Sequence, residues 1–263
     1  AFSNDVSLNP ALFDRVRKVY EKRADLTLTT EQNRLLEKSY KGFVRGGAAL
    51  ADADKERFRE LTTELGQLSL QFNQHVLAAT NAFTLHLTDP AQVSELPESV
   101  REGAATEAHE RGLEGWVITL QAPSMVPFMT YSSNRELKEQ LWRRYNSRCY
   151  DDEQDNREIV KRIVALRLEV ARLLGYETYA AYVLEERMAG TQQRVQQFLS
   201  ELLDRAIEPA RNEVKEVADF ARSEGADYEL MPWDYAYWQE KLKQARYTFD
   251  EEMLKQITTG ACI

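Results

Sequence analysis

The sequence is poor in the residues that most recognisable chemistry requires. Its 263 residues include two cysteines and three histidines. Cys149 and Cys262 make neither a disulfide framework nor a metal cluster, and they fit reduced thiols in a cytoplasmic protein. No apolar run approaches the ~20 residues a membrane helix needs, so no membrane partner is expected. The first residues, Ala1 to Asp5, lack the basic and apolar regions of a signal peptide and start abruptly, as an internal piece would. Positive charge is also short: Lys and Arg number 34 against 43 Asp and Glu, for a net charge of −9. Phosphate binding needs a concentrated basic face, so nucleic acid is excluded as a partner. Arg143, Arg144 and Arg148 form a small basic run, but beside Glu136 and Glu139 it reads as a solvated helix face.

Glycine and proline are scarce as well, at 11 and 7 residues. Few breaks imply long elements, and the apolar spacing says that most are helices. Asn9-Pro10 reads as an N-cap with proline at the first helical position. Thr29-Thr30 starts a second helix that carries Leu35, Leu36, Tyr40 and Phe43 and stops at Gly46-Gly47. Phe58, Leu61, Leu65, Leu68, Phe72 and Val76 recur at three- and four-residue steps, which puts them on one face of a third helix. The period then drops to two at Phe83, Leu85 and Leu87, the alternation of a half-buried strand. Trp116–Leu120, closed by Pro123, is a second strand, and a helix from Leu96-Pro97-Glu98-Ser99 to Gly112 lies between them. Helices follow at Asn134–Ser147, Asp155–Leu174 and Thr178–Arg187. A long one runs from Thr191 to about Ser223, with a kink expected at Pro209. Pro232-Trp233-Asp234 opens another, and Asp250 caps a last short one.

The fold class is therefore mainly α: a multi-helix body with one small β element of two short strands. We read 1–263 as a single incomplete helical region with a sub-boundary near 121–133 and an atypical tail at 256–263. No repeat of fixed period appears, which disfavours a helical solenoid.

Catalytic motifs are missing. A zinc site on a helix needs two imidazoles one turn apart with a glutamate between them, His-Glu-x-x-His. His75, His86 and His109 offer no such pair. His109-Glu110 begins like the motif, and then Leu113 stands where the second histidine must be. The acidic run Asp151-Asp152-Glu153-Gln154-Asp155 lacks the glycine at the sixth position of a calcium loop, and Arg162 replaces its twelfth-position glutamate, so it reads as a solvated loop. Gly46-Gly47 is a helix stop rather than a phosphate cradle. Ser124, Ser132 and Ser133 stand in no nucleophile elbow. Trp233, Tyr235, Tyr237 and Trp238 are dense enough to line a peptide groove, but aromatic residues at helical spacing are more often core. No catalytic or metal residue is assigned, and no substrate-binding residue is identified.

Several stretches, in order, are similar to one family. They are Asn9-Pro10-Ala11-Leu12-Phe13-Asp14-Arg15-Val16, Leu35 to Ala48 with its Lys41-Gly42-Phe43-Val44-Arg45-Gly46-Gly47, and Thr80-Asn81-Ala82-Phe83. Leu96-Pro97-Glu98, Asn134-Arg135-Glu136-Leu137, Leu173-Leu174-Gly175-Tyr176, Met188-Ala189 and Pro232-Trp233-Asp234 follow. Together they resemble the thimet oligopeptidase family of zinc peptidases, in its bacterial peptidyl-dipeptidase and oligopeptidase A branch. The resemblance runs from about Asn4 to Leu254. It implies part of a larger helical, channel-forming peptidase fold whose zinc is held by His-Glu-x-x-His and a further glutamate. The chain is expected to begin inside the family's N-terminal region and to stop before the zinc helix. It would then carry no cofactor itself, with Zn in the full-length parent, and would be inactive alone. Its implied partners are the missing catalytic part and, in the parent, short peptides. Self-association of apolar surface left bare is a further expectation. The alternative is a helical peptide- or protein-binding module without catalysis.

Overall fold

The computed structural model describes residues 2–247. The helix expected after Asp250 and the tail at 256–263 lie outside these residues. The described residues form a mainly α protein with eleven α-helices and one two-stranded sheet. In chain order the elements are α1 (Phe2–Ser7), α2 (Pro10–Glu21), α3 (Thr30–Arg45), α4 (Asp52–Ala82), β1 (Leu85–Leu87), α5 (Glu98–Glu110), β2 (Trp116–Ile118), α6 (Ala122–Tyr131), α7 (Arg135–Asn146), α8 (Arg157–Leu173), α9 (Tyr179–Leu184), α10 (Gln192–Ser223) and α11 (Tyr235–Arg246).

The helix starts follow their capping chemistry. The Asn9 side chain accepts hydrogen bonds from the backbone N–H groups of Ala11 and Leu12, satisfying two of the free donors at the start of α2. Thr29 and Gln32 form a reciprocal capping box on α3. At its end Gly47 adopts φ 90°, the left-handed conformation that glycine tolerates best.

Contacts divide the chain into two compact units. One comprises the residues up to Gln74 with Asn156–Leu199, and the other His75–Asp155 with the residues from Ser200 on. In the first unit, Leu8, Phe58, Leu61, Leu166 and Val170 make the core, and Leu65 and Leu68 pack against it. The α4 stripe read from the sequence is thus a core-facing one in this unit. Outside the core, α4 and α8 are tied by Arg162, whose Nε and Nη2 donate to the two carboxylate oxygens of Glu64 at 2.6 and 2.7 Å.

In the second unit β1 and β2 pair antiparallel, with Leu85 opposite Ile118 and Leu87 opposite Trp116. Both strands are shorter than the alternating sequence suggested. Leu85, Leu87, Ile118, Leu120, Phe128, Leu141 and Trp233 belong to one buried cluster. Between α5 and β2 the chain turns at Gly115 (φ 92°), where an added Cβ would lie 2.3 Å from the Leu87 carbonyl oxygen. The sequence pattern had assigned no element to residues 121–133. The structure places α6 there, with Pro123 at its start and Pro127 inside it. Two prolines and an almost wholly apolar composition hid its period. The helix α10 runs unbroken through Pro209.

Candidate functional site

The three histidines sit on three different elements, α4, β1 and α5. On β1, His86 Nε2 lies 2.6 Å from the carbonyl oxygen of Glu114. A carbonyl can only accept, so this nitrogen carries the proton and is committed to the backbone. Among the described residues no group of three or more His, Cys, Asp and Glu is placed to hold a metal ion. The donors of the described residues are thus too scattered to make a zinc-binding set.

A surface groove of about 560 Å³ lies in the first unit, with Tyr20, Tyr40, Lys38, Lys41, Glu185 and Glu186 among its walls. It is built on α3, where Lys38, Lys41 and Arg45 fall at steps of three and four and so share one face. The segment after α9 supplies the opposite charge. Glu186 accepts from Lys38 Nζ at 2.8 Å and from Lys41 Nζ at 2.5 Å. Hydrogen bonds from Lys38 and then Lys41 hold its carboxyl well below the usual range, at about 2. Glu185 accepts from the Tyr176 hydroxyl, from Lys41 and from Arg45, and its pKa is lowered, chiefly by the Tyr176 hydrogen bond. Arg45 also donates to the Tyr182 carbonyl at 2.7 Å, and its guanidinium carbon lies 4.1 Å from the Tyr182 ring centroid. Across the groove Tyr20 and Tyr40 stack face to face, centroids 3.9 Å apart.

This constellation is electrostatically closed. Each carboxylate is claimed by cations and stays ionised at neutral pH, so neither has a proton to give as a general acid, and each is weakened as a base. What the network can do is clamp residues 176–187 to α3.

In the second unit the aromatic segment resolves into core and clamp. Trp233 is 3% exposed and belongs to the hydrophobic cluster, so this residue is core, the reading that its helical spacing favours. Arg143 and Arg135 lie over its ring at 5.0 and 5.6 Å. Asp234, fully buried, accepts from Arg135 Nε at 3.1 Å and from the Met231 backbone N–H at 2.9 Å. The basic run is only partly a solvated face. Arg143 pairs with Glu139 on its own helix, but Arg148 donates to Thr80 Oγ1 at 2.6 Å and stacks on Tyr145. The acidic run is a loop: Asp152 accepts from the backbone N–H groups of Cys149 and Gln154. Sequence reasoning missed both Lys138, which is buried, and the fully buried Asp234. A charged residue inside a helical pattern gives no sign of which face it will occupy.

Taken alone, this is a helical protein with a clamped charged groove. Comparison with known proteins supplies its kinship. The pattern of Peptidase family M3 matches residues 128–263, and the chain belongs to that family. Over 259 residues it is 35% identical to Oligopeptidase A of Escherichia coli (strain K12), a match that covers 97% of this chain and 38% of the relative. It is 34% identical over 258 residues to the Dipeptidyl carboxypeptidase of the same organism, covering 96% and 37%. To the Probable cytosolic oligopeptidase A of Arabidopsis thaliana it is 35% identical over 238 residues, covering 87% and 34%. The chain thus spans well under half the length of these relatives.

Proposed function

We propose that this chain is the non-catalytic, channel-wall portion of a zinc metallopeptidase that hydrolyses short peptides, and that it is inactive alone. The alignment carries the reading: nearly the whole chain matches little more than a third of peptidases named as oligopeptidase and dipeptidyl carboxypeptidase. His-Glu-x-x-His does not occur in its 263 residues, and Leu113 stands where the second imidazole after His109-Glu110 would have to be. Zinc, and the water it activates, would belong to the parent protein; no step of peptide cleavage is assigned to the residues described above. A helical wall around a narrow channel favours extended short peptides, because a folded protein is too wide to enter. A cytoplasmic location accords with the cytosolic relative from Arabidopsis. Separated from its companion part, such a wall would expose apolar surface and tend to self-associate weakly.

The test is direct. Purified chain, supplied with zinc and a mixture of short unstructured peptides, is expected to cleave none of them and to retain no stoichiometric metal after desalting. Chelator-sensitive cleavage by this chain alone would falsify the proposal.

A further inference from the structure

Two opposite charges without partners face one pocket of the second unit. Its volume is about 260 Å³, and its walls come from the last turns of α4, the end of α7 and the acidic loop that follows. Ala78, Ala79 and Ala82 keep the α4 wall open, since none extends beyond a methyl group, and the buried Phe83 and Leu120 complete the apolar lining. Arg144 precedes Ser147 and Arg148 by three and four residues, the spacing of one helix face. The loop wall is held from within. Cys149 and Asp151 both adopt φ 58°, and the two Asp152 carboxylate oxygens accept from the backbone N–H groups of Cys149 and Gln154 at 3.0 and 2.9 Å.

The four charged side chains of this pocket divide into two that are committed and two that are not. Asp152 is held by those backbone donors, and Arg148 donates to the Tyr145 carbonyl and to Thr80 Oγ1. Arg144 makes no hydrogen bond or ion pair among the described residues; its guanidinium carbon lies 5.9 Å from the Phe83 ring centroid. Glu153 likewise has no partner among the described residues. Both line the same space, yet they do not pair with each other. A simple anion would satisfy Arg144 and leave Glu153 facing it; a metal cation would do the reverse. Only a molecule that carries both charges meets both groups.

We propose that this pocket binds an apolar zwitterion, a free amino acid or a dipeptide with a hydrocarbon side chain. Arg144 receives the carboxylate, which a planar guanidinium can hold through two parallel N–H donors. Glu153 accepts from the ammonium, and the side chain lies against Ala79, Phe83 and Leu120.

The test is calorimetric titration of the chain with leucine and with alanyl-leucine, each also in N-acetylated and C-amidated forms. Saturable binding of a free zwitterion is expected, with a Kd on the order of 1 mM or tighter. Acetylation and amidation should each weaken it by roughly threefold to tenfold. Arg144→Met is expected to abolish the penalty of amidation, and Glu153→Gln that of acetylation, because each variant removes the group that reads that end. Arg205→Met, the same charge change at an exposed position of α10, should leave every affinity within about twofold. Arg144 and Glu153 are exposed, so both variants should melt within about 2 °C of the parent. Tighter binding of leucine assigns the pocket to a free amino acid, and tighter binding of alanyl-leucine to a dipeptide. No saturable binding of either, equal binding of free and capped forms, or an amidation penalty that persists in Arg144→Met overturns the proposal. The capping comparison needs no variant, so it decides the matter even where a variant misfolds. Binding is read without cleavage, so failure here leaves the channel-wall reading standing, and peptide cleavage by the chain alone leaves this site standing.

Discussion

Lys138 holds its ammonium 4.3 Å from the ring centroid of Tyr237 while the residue is only 2% exposed. A buried cation is expensive, and the π-face of a tyrosine repays only part of its lost hydration. Burial pushes the pKa of Lys138 down to about 8, against the opposing pull of Asp234 and Glu95. The unfolded chain therefore holds this proton more tightly than the folded one.

The sign of the linkage follows. With the folded pKa near 8 and the unfolded value at 10.5, the unfolded state binds more protons between these limits, so stability should rise with pH across that window. Replacement by a neutral side chain of similar length, Lys138→Met, should raise stability at pH 7 by about 1–3 kcal/mol and flatten this rise. Urea unfolding of both proteins at pH 7 and pH 10 measures it. An unchanged or lowered midpoint at pH 7 would show that the ammonium is well solvated.

Asp234 carries the opposite prediction. Its carboxylate joins Arg135 of α7 to the turn before α11 and accepts from the Met231 N–H. Asp234→Ala leaves a buried donor unmet and Arg135 without its partner. It should cost about 2–4 kcal/mol, moderated because Arg135 is one-third exposed. Asp234→Asn, which retains an acceptor, should cost less. Equal losses for the two would place the effect in packing rather than in the ion pair.

The clamp between α3 and residues 185–186 should respond to acid. Glu186 titrates near 2 when folded and near 4.5 otherwise, so its contribution is fully present above about pH 4.5 and fades as pH falls toward 2. Both partners are at the surface, so salt should weaken the effect. Proteolysis between Tyr176 and Arg187 at pH 7 and pH 3, in low and high salt, is the measurement. Cleavage at pH 3 no faster than at pH 7 in low salt would contradict it.

Gly115 tests the sheet. A side chain there must move the Leu87 carbonyl, only 2.3 Å from the added carbon, or abandon φ 92°. Gly115→Ala should destabilise by about 2–4 kcal/mol. Gly103→Ala makes the control: it has open space in α5 and should be neutral or slightly stabilising. Comparable losses in both would mean that the tight turn is not the cause.

Much of this architecture was legible beforehand, for reasons local to the chain. The caps at Asn9 and Thr29, the left-handed glycines at Gly47 and Gly112, and the stripe from Phe58 to Leu68 depend on neighbours within one or two helical turns, so short-range pattern determines them. The absence of His-Glu-x-x-His is likewise complete in the sequence. Other features depended on contacts far apart in the chain. Leu85 meets Ile118 across 33 positions, α6 is a helix despite Pro127, and Arg148 turns from the helix surface to Thr80. Only tertiary packing could decide that Lys138 and Asp234 are buried while Leu203 and Val214 are bare. A side chain's cost or gain is set by what covers it, and the covering atoms come from elements that the local pattern cannot see.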